Sequence, residues 1–325
     1  MGTARLPSRV DFACLLVVLC LPPHAGGDAA QSSWTPINRT STMQDIYRIH
    51  AVSRNFLPST FLTSFGPMFE TYLTNEVGQR FHPPISFAIG TDTVSSFFSS
   101  ADAKAFDLAL AMPFVTNCLE EEYGALPLLT MRDLKMGHEL NRIGSVVFTR
   151  TDRFDMINLI DLKDKVVAAP SMIILQGMHR AFEDAGLSIF GDLRAIFLSP
   201  NQDILLSAVL TNEVDAACAP ADVVDELMRV SLYRGLFKVI DPLPGLLVEG
   251  EPFPFQSTSE LLPEHALVAM PHVDYRVRRE VAAALQSLDR GSPECVSAGI
   301  AGWQNALSYA SARVVYRSAG LLRYD

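Results

Sequence analysis

The chain has 325 residues, 49% hydrophobic and 19% charged, a balance that builds a packed core and excludes a disordered protein. Its length allows two domains of ordinary size. A formal charge of −10 argues against a nucleic-acid partner, because a phosphate backbone needs clustered Lys and Arg to displace its counterions. It also argues against anionic lipid, yet leaves room for a small anion, since local donors outweigh the total.

Arg5 and Arg9 precede an apolar run over 12–21, FACLLVVLCL, which Pro22-Pro23 breaks and the small residues of HAGGDAA follow. This order predicts a cleaved signal peptide over 1–30. Its apolar part is too short to span a bilayer core of roughly 30 Å, and no later stretch is apolar over about 18 residues. The mature chain is therefore expected in the periplasm after crossing the inner membrane, or outside the cell or in a lumen if the host is eukaryotic. Residues 31–44 are Ser/Thr-rich, lack periodicity and read as a flexible lead-in. Past the leader, Cys118, Cys218 and Cys295 remain; an odd number is no disulfide framework, and three buried thiols are expected.

Regular alternation then begins. YRIHAV (47–52) reads as a strand, and Phe61, Leu62, Phe65, Met68, Phe69, Tyr72 and Leu73 mark a helix over 59–76. ISFAIG (85–90) is a strand, 92–106 a helix with Asp92 near its start, 107–113 a fully apolar strand, and a helix runs through CLEEEYG. Glu120-Glu121-Glu122 reads as a solvated helix face. LPLLTM and GSVVFTR (144–150) are strands, KVVAAP (165–170) another, and 171–186 one helix closed by Gly186. LRAIFLS is a strand, followed by a helix with Asn201 as N-cap. DAACAP (215–220) is a strand, 221–235 a helix and LFKVIDP a strand. After a Pro/Gly-rich link, 260–271 returns a strand, and Val277, Val281, Leu285 and Leu288 share one helix face. The tail 303–325 reads as helical.

Strands alternating with helices at this spacing predict an α/β protein with mainly parallel sheets, in two similar runs. In open sheets of this kind ligands sit outside the carboxyl ends of the strands. Those ends carry Arg54, Asn55, Thr91, Pro113, Ser171, Gln202 and Asp222, the candidate ligand-binding residues. No G-x-S-x-G elbow, Walker A loop, H-E-x-x-H or metal-spaced Cys pair occurs. His265 and His272 lie at opposite ends of one predicted strand and cannot share a metal, and His179 sits on a helix behind its turn. These absences weigh against an enzyme without excluding one, and no cofactor or metal is expected.

The stretches FDLALAMPFVTNCLEEEYGALPLLTM, GSVVFTRTDRFDMINLIDLKDKVVAAPS, LSAVLTNEVDAACAPADVVDEL and FQSTSELLPEHALVAMPHV carry a family likeness. In this order they resemble the phosphate/phosphite/phosphonate-type periplasmic solute-binding proteins, of type II periplasmic-binding fold, also used as sensor domains of membrane histidine kinases. The likeness spans about 45–325. It implies two α/β lobes joined by two crossover strands: 45–145 plus 244–325, and 146–243. It also implies a monomer that clamps a small anionic or polar ligand and delivers it to an ABC-type transporter permease. The alternative it implies is a ligand-sensing subunit reporting to a histidine kinase.

In phosphonate binders of the family, hydroxyls and backbone N–H groups grip the anion at the turn corresponding to 170–175, where unpaired N–H groups and the helix dipole favour negative charge. Here Ser171 alone keeps a hydroxyl, while Met172, Ile173, Ile174 and Leu175 fill positions where the pattern carries Ser or Thr; Gly177 is kept. Gln202 stands where the family often has His, and Ala221 where it often has a polar residue. These departures point away from a tight phosphonate site and toward a carboxylate or weakly polar metabolite, with Arg54 as the cation of the set.

Overall fold

The computed structural model describes residues 35–53, 59–229 and 232–320. The expected signal peptide, and Arg54 and Asn55, lie outside the described residues. From Pro36 onward the chain forms one compact unit. The end of the lead-in is tied down: Ile37–Asn38 pairs in parallel with Phe81–His82, and Arg276 Nη1 donates to the Asn38 carbonyl at 3.1 Å.

Two sheets organise the rest. The seven-stranded sheet runs, in spatial order, Ile300–Asn305, Leu126–Lys135, Ala266–Ala269, Leu108–Ala111, Ile46–Ser53 and Ser86–Thr93, with His138–Leu140 hairpinned onto Leu126–Lys135. The five-stranded sheet runs Ala195–Leu198, Val166–Ala169, Ala216–Pro220, Ser145–Arg150 and Phe237–Ile240. Each holds a parallel trio, and antiparallel strands join where the chain crosses over or returns. The runs LALA and AACAP are buried at every position, the mark of strands covered on both faces.

Helices α1 (Ser59–Glu76), α2 (Val94–Asp102) and α3 (Pro113–Tyr123) belong to the first run. Helices α4 (Met172–Gly177), α5 (His179–Asp184), α6 (Gln202–Leu210) and α7 (Ala221–Arg229) belong to the second. Then α8 (Tyr275–Gln286), α9 (Pro293–Ala298) and α10 (Ala310–Ser318) close the chain. The predicted stripe Val277, Val281, Leu285 and Leu288 is buried in the core of the seven-stranded sheet. Separate apolar clusters line the five-stranded sheet, one around Phe148, Leu205 and Val224, the other around Met156, Leu175 and Phe182.

Four expectations are corrected. Residues 171–186 form two short helices, since Met178 leaves helical geometry at φ −98° and ψ 4°. The tail is not helical throughout: Ile300–Asn305 is a strand on Leu126–Lys135, and its first four residues are all buried, which hides any period-2 signal. The 260–271 strand is two strands, because Leu262–Pro263 first pairs with Arg142–Ile143. The acidic run on α3 is not simply solvated, since Arg313 of α10 reaches Glu120 at 3.2 Å and Glu121 at 2.9 Å.

Two connections link the sheets, 141–145 and 257–263. They run side by side: Thr258 N and Ser259 N donate to the Ser145 carbonyl at 2.9 and 3.0 Å, and Ser145 N donates to Ser259 Oγ at 3.0 Å. Gly144 lies where they touch. A Cβ there would run into Ser257 Oγ and come within 3.0 Å of Leu261 Cδ2, so this crossing requires glycine.

Candidate functional site

Strand direction decides where a ligand can sit. The Ile46–Ser53, Ser86–Thr93 and Leu108–Ala111 strands are mutually parallel, and two antiparallel steps through Ala266–Ala269 turn Leu126–Lys135 the same way. Their carboxyl ends, with the amino end of Ala266–Ala269, form one sheet edge. The parallel Val166–Ala169, Ala195–Leu198 and Ala216–Pro220 strands form the matching edge of the five-stranded sheet.

Each described candidate residue stands at one of these ends. Thr91 is exposed on Ser86–Thr93. Pro113 is the buried first residue of α3. Ser171 caps α4, its Oγ accepting from Ile174 N at 3.4 Å. Gln202 opens α6 half-buried, beside Asn201, whose Oδ1 accepts from Asp203 N at 2.9 Å and Ile204 N at 3.4 Å. Asp222 lies in the first turn of α7.

The edges meet at a residue the sequence reading did not single out. Lys135, the last residue of Leu126–Lys135, places Nζ 3.3 Å from Asp222 Oδ2 and 3.1 Å from Asp133 Oδ2. The sequence signal was Asp133 and Lys135 two apart on a strand, hence on one face, at a carboxyl end. Burial works against the Lys135 charge, but Asp133, Asp222 and Glu264 outweigh it and raise its pKa. Burial raises Asp133. Burial pushes Glu264 up as well, but the hydrogen bond and charge of His265 prevail and lower it. The hairpin after Lys135 is anchored across the junction: Met136, at φ 51°, and Leu140 pack with the Phe148 cluster of the other sheet, and the His138 ring meets Phe255 edge-on at 5.9 Å.

A second polar pair ends the neighbouring strands. His50 Nδ1 lies 2.6 Å from Asp92 Oδ2, and Asp92 Oδ1 accepts from Ser96 Oγ at 3.1 Å and Ser100 Oγ at 3.2 Å. Burial pushes Asp92 up, but these hydrogen bonds overcome it and lower the carboxyl. Thr93, not Asp92, is the N-cap of α2. The three described cysteines are free and buried, and burial pushes each thiol up to about 12, leaving no nucleophilic thiolate near neutral pH.

Residues 52–308 match the model of the ABC transporter, phosphonate, periplasmic substrate-binding protein family. The chain belongs to that family. Its members are binding proteins, not enzymes, and serve ABC transporters. No curated protein matches the chain by sequence. Among solved structures, PhnD1 from Prochlorococcus marinus in complex with methylphosphonate is similar, with 11% identity, 86% of this chain and 99% of that chain covered, and a TM-score of 0.61. A Xanthomonas citri protein bound to ATP shows 13% identity, coverage of 85% and 96%, and a TM-score of 0.62. A binding-protein component of a Pseudomonas aeruginosa ABC phosphonate transporter shows 10% identity, 86% and 87% coverage, and a TM-score of 0.59. At these identities the structural likeness establishes the type II periplasmic-binding fold.

The oily turn can now be read within that family. Ile173 packs with the core of the seven-stranded sheet, Ile174 and Met172 with that of the other sheet, and Leu175 is fully buried. Ile173 and Gly177 are one turn apart on α4 and so share a face. A Cβ at 177 would meet Tyr316 Oη of α10 at 3.3 Å, so that face lies on α10. Tyr316 in turn stacks edge-on against Phe114 of α3 at 5.2 Å. The apolar residues here are mortar between helices. Their packing accounts for their apolar character without reference to a ligand.

Proposed function

We propose that the chain is the exported, monomeric binding component of an ABC transporter and closes two lobes over a small anion bearing an uncharged tail. The observation that carries this reading is the meeting of the two carboxyl-end edges at Lys135 and Asp222, 3.3 Å apart. A ligand parked outside those ends touches both sheets at once, so binding and closure become one event. The lobe division read from the sequence, 45–145 plus 244–325 and 146–243, is supported by the paired connections at 141–145 and 257–263. Phe253 and Phe255 pack with the Phe148 cluster, which favours extending the second lobe through that loop. Ser171 and the α4 backbone N–H groups serve the anion, with Thr91, Pro113, Gln202, Arg54 and Asn55 around it and Asp222 beside the tail. Delivery to a permease ranks above signalling to a histidine kinase because the family matched is a transporter component. Among the described residues no helix is long and apolar enough to cross a membrane.

Isothermal titration of the mature protein with methylphosphonate, phosphate and acetate tests the ligand class. Saturable binding of methylphosphonate, lost in Arg54→Ala, is expected. Heat from none of the three would overturn the anion reading.

A further inference from the structure

Two shielded aspartates share one ammonium where the two sheets meet. Asp133, Asp222 and Glu264 act together on one ammonium, Lys135 Nζ. The Asp133 and Asp222 side chains are 12% and 13% exposed, and Lys135 itself 24%. His265 is hydrogen-bonded to Glu264, and among the described residues Lys135 is the side chain that ion-pairs with both Asp133 and Asp222. A shielded carboxylate without a partner must take up a proton or recruit a cation. This corner therefore demands a positive charge, and the protein supplies it on a tether. The tether is held: Asp133 grips Nζ from the same strand face, and the following turn is packed into the opposite sheet through Met136 and Leu140.

We infer that Lys135 is a specificity-determining residue of the cleft: its ammonium fills the acidic corner between Asp133 and Asp222 and so excludes ligands whose tail carries an ammonium group. The inference rests on the cleft reading above and adds to it. The anion head docks at other strand ends, and the tail that reaches Asp222 is uncharged.

The test is calorimetric titration of the mature protein, Lys135→Met and Lys135→Arg with methylphosphonate and with 2-aminoethylphosphonate. The wild type and Lys135→Arg should prefer methylphosphonate by tenfold or more. Lys135→Met should reverse that order, gaining at least tenfold for the ammonium-bearing ligand, and adding Asp222→Asn should abolish the gain. An unchanged preference in Lys135→Met overturns the inference. Should Lys135→Met fail to fold, Lys135→Gln, which removes the charge and keeps a hydrogen-bond donor beside both aspartates, answers the same question. If no form binds either phosphonate, the phosphonate reading falls, and propylammonium decides about Lys135 on its own. Thermal stabilisation of Lys135→Met but not of the wild type by propylammonium keeps the inference; stabilisation of both or neither overturns it.

Discussion

Replacing Ile173 by Ser separates two opposite accounts of the α4 turn. If the side chain faced the anion, a hydroxyl there would add a charge-assisted hydrogen bond worth about 1.5–3 kcal/mol, or roughly 10–150-fold in affinity. The packing says otherwise, since Ile173 is half-buried against the seven-stranded sheet's core on the face that Gly177 presents to Tyr316. Full burial of an isoleucine side chain is worth roughly 1.5–3 kcal/mol. About half of that, near 1 kcal/mol, should be lost in Ile173→Ser, because serine returns almost no apolar contact. For a mature chain of this size, with an unfolding entropy of about 2.1 cal/mol/K per residue, the loss corresponds to a fall of about 1.6 °C in Tm. Differential scanning calorimetry and titration with methylphosphonate on the same samples give both numbers. The expected result is a lower Tm with affinity within about threefold of wild type. An unchanged Tm with affinity raised tenfold would place Ile173 in the cleft and refute the reasoning.

Three further outcomes follow from named contacts. Gly144→Ala forces a methyl against buried Ser257, whose Oγ already bonds the Ser145 and Ser259 carbonyls at 3.2 and 2.8 Å; overpacking of this kind costs about 1–3 kcal/mol, and thermal melts matching wild type would contradict the crossing. Asp92 has its pKa lowered in the fold, so its stabilising effect is complete above the unfolded value near 4 and fades as pH falls through the lower folded value. Urea midpoints from pH 6 downward should therefore fall less steeply for Asp92→Asn than for wild type, and equal slopes would count against the His50–Asp92 pair. Cys118, Cys218 and Cys295, with thiols pushed up to about 12, should resist iodoacetamide at pH 8 until denaturant is added. Peptide mapping that finds any of them alkylated in the native protein would show that burial has been overstated.

Much of this architecture was legible in the residues. Continuous apolar runs such as LALA and AACAP announced strands covered on both faces, and the stripe from Val277 to Leu288 announced α8. Asn201 was readable as a cap because its side chain can serve the free N–H groups behind it. What escaped depended on partners distant in sequence. Ile300–Asn305 is a strand only because Leu126–Lys135 offers it an edge, and no local pattern encodes that. The acidic run on α3 looked solvated until α10 brought Arg313 beside it. Lys135 escaped for the same reason: nothing in MRDLK reveals that Asp222, 87 positions later, will stand 3.3 Å away. Likewise, nothing in Met172 to Leu175 reveals that α10 and the sheet cores will pack against those side chains.

The central claim is that a small anion draws two lobes together, and small-angle scattering of the mature protein during a methylphosphonate titration tests it most directly. The account predicts a radius of gyration that contracts with the same midpoint as the binding heat. Saturable heat with no change in the scattering curve would contradict it.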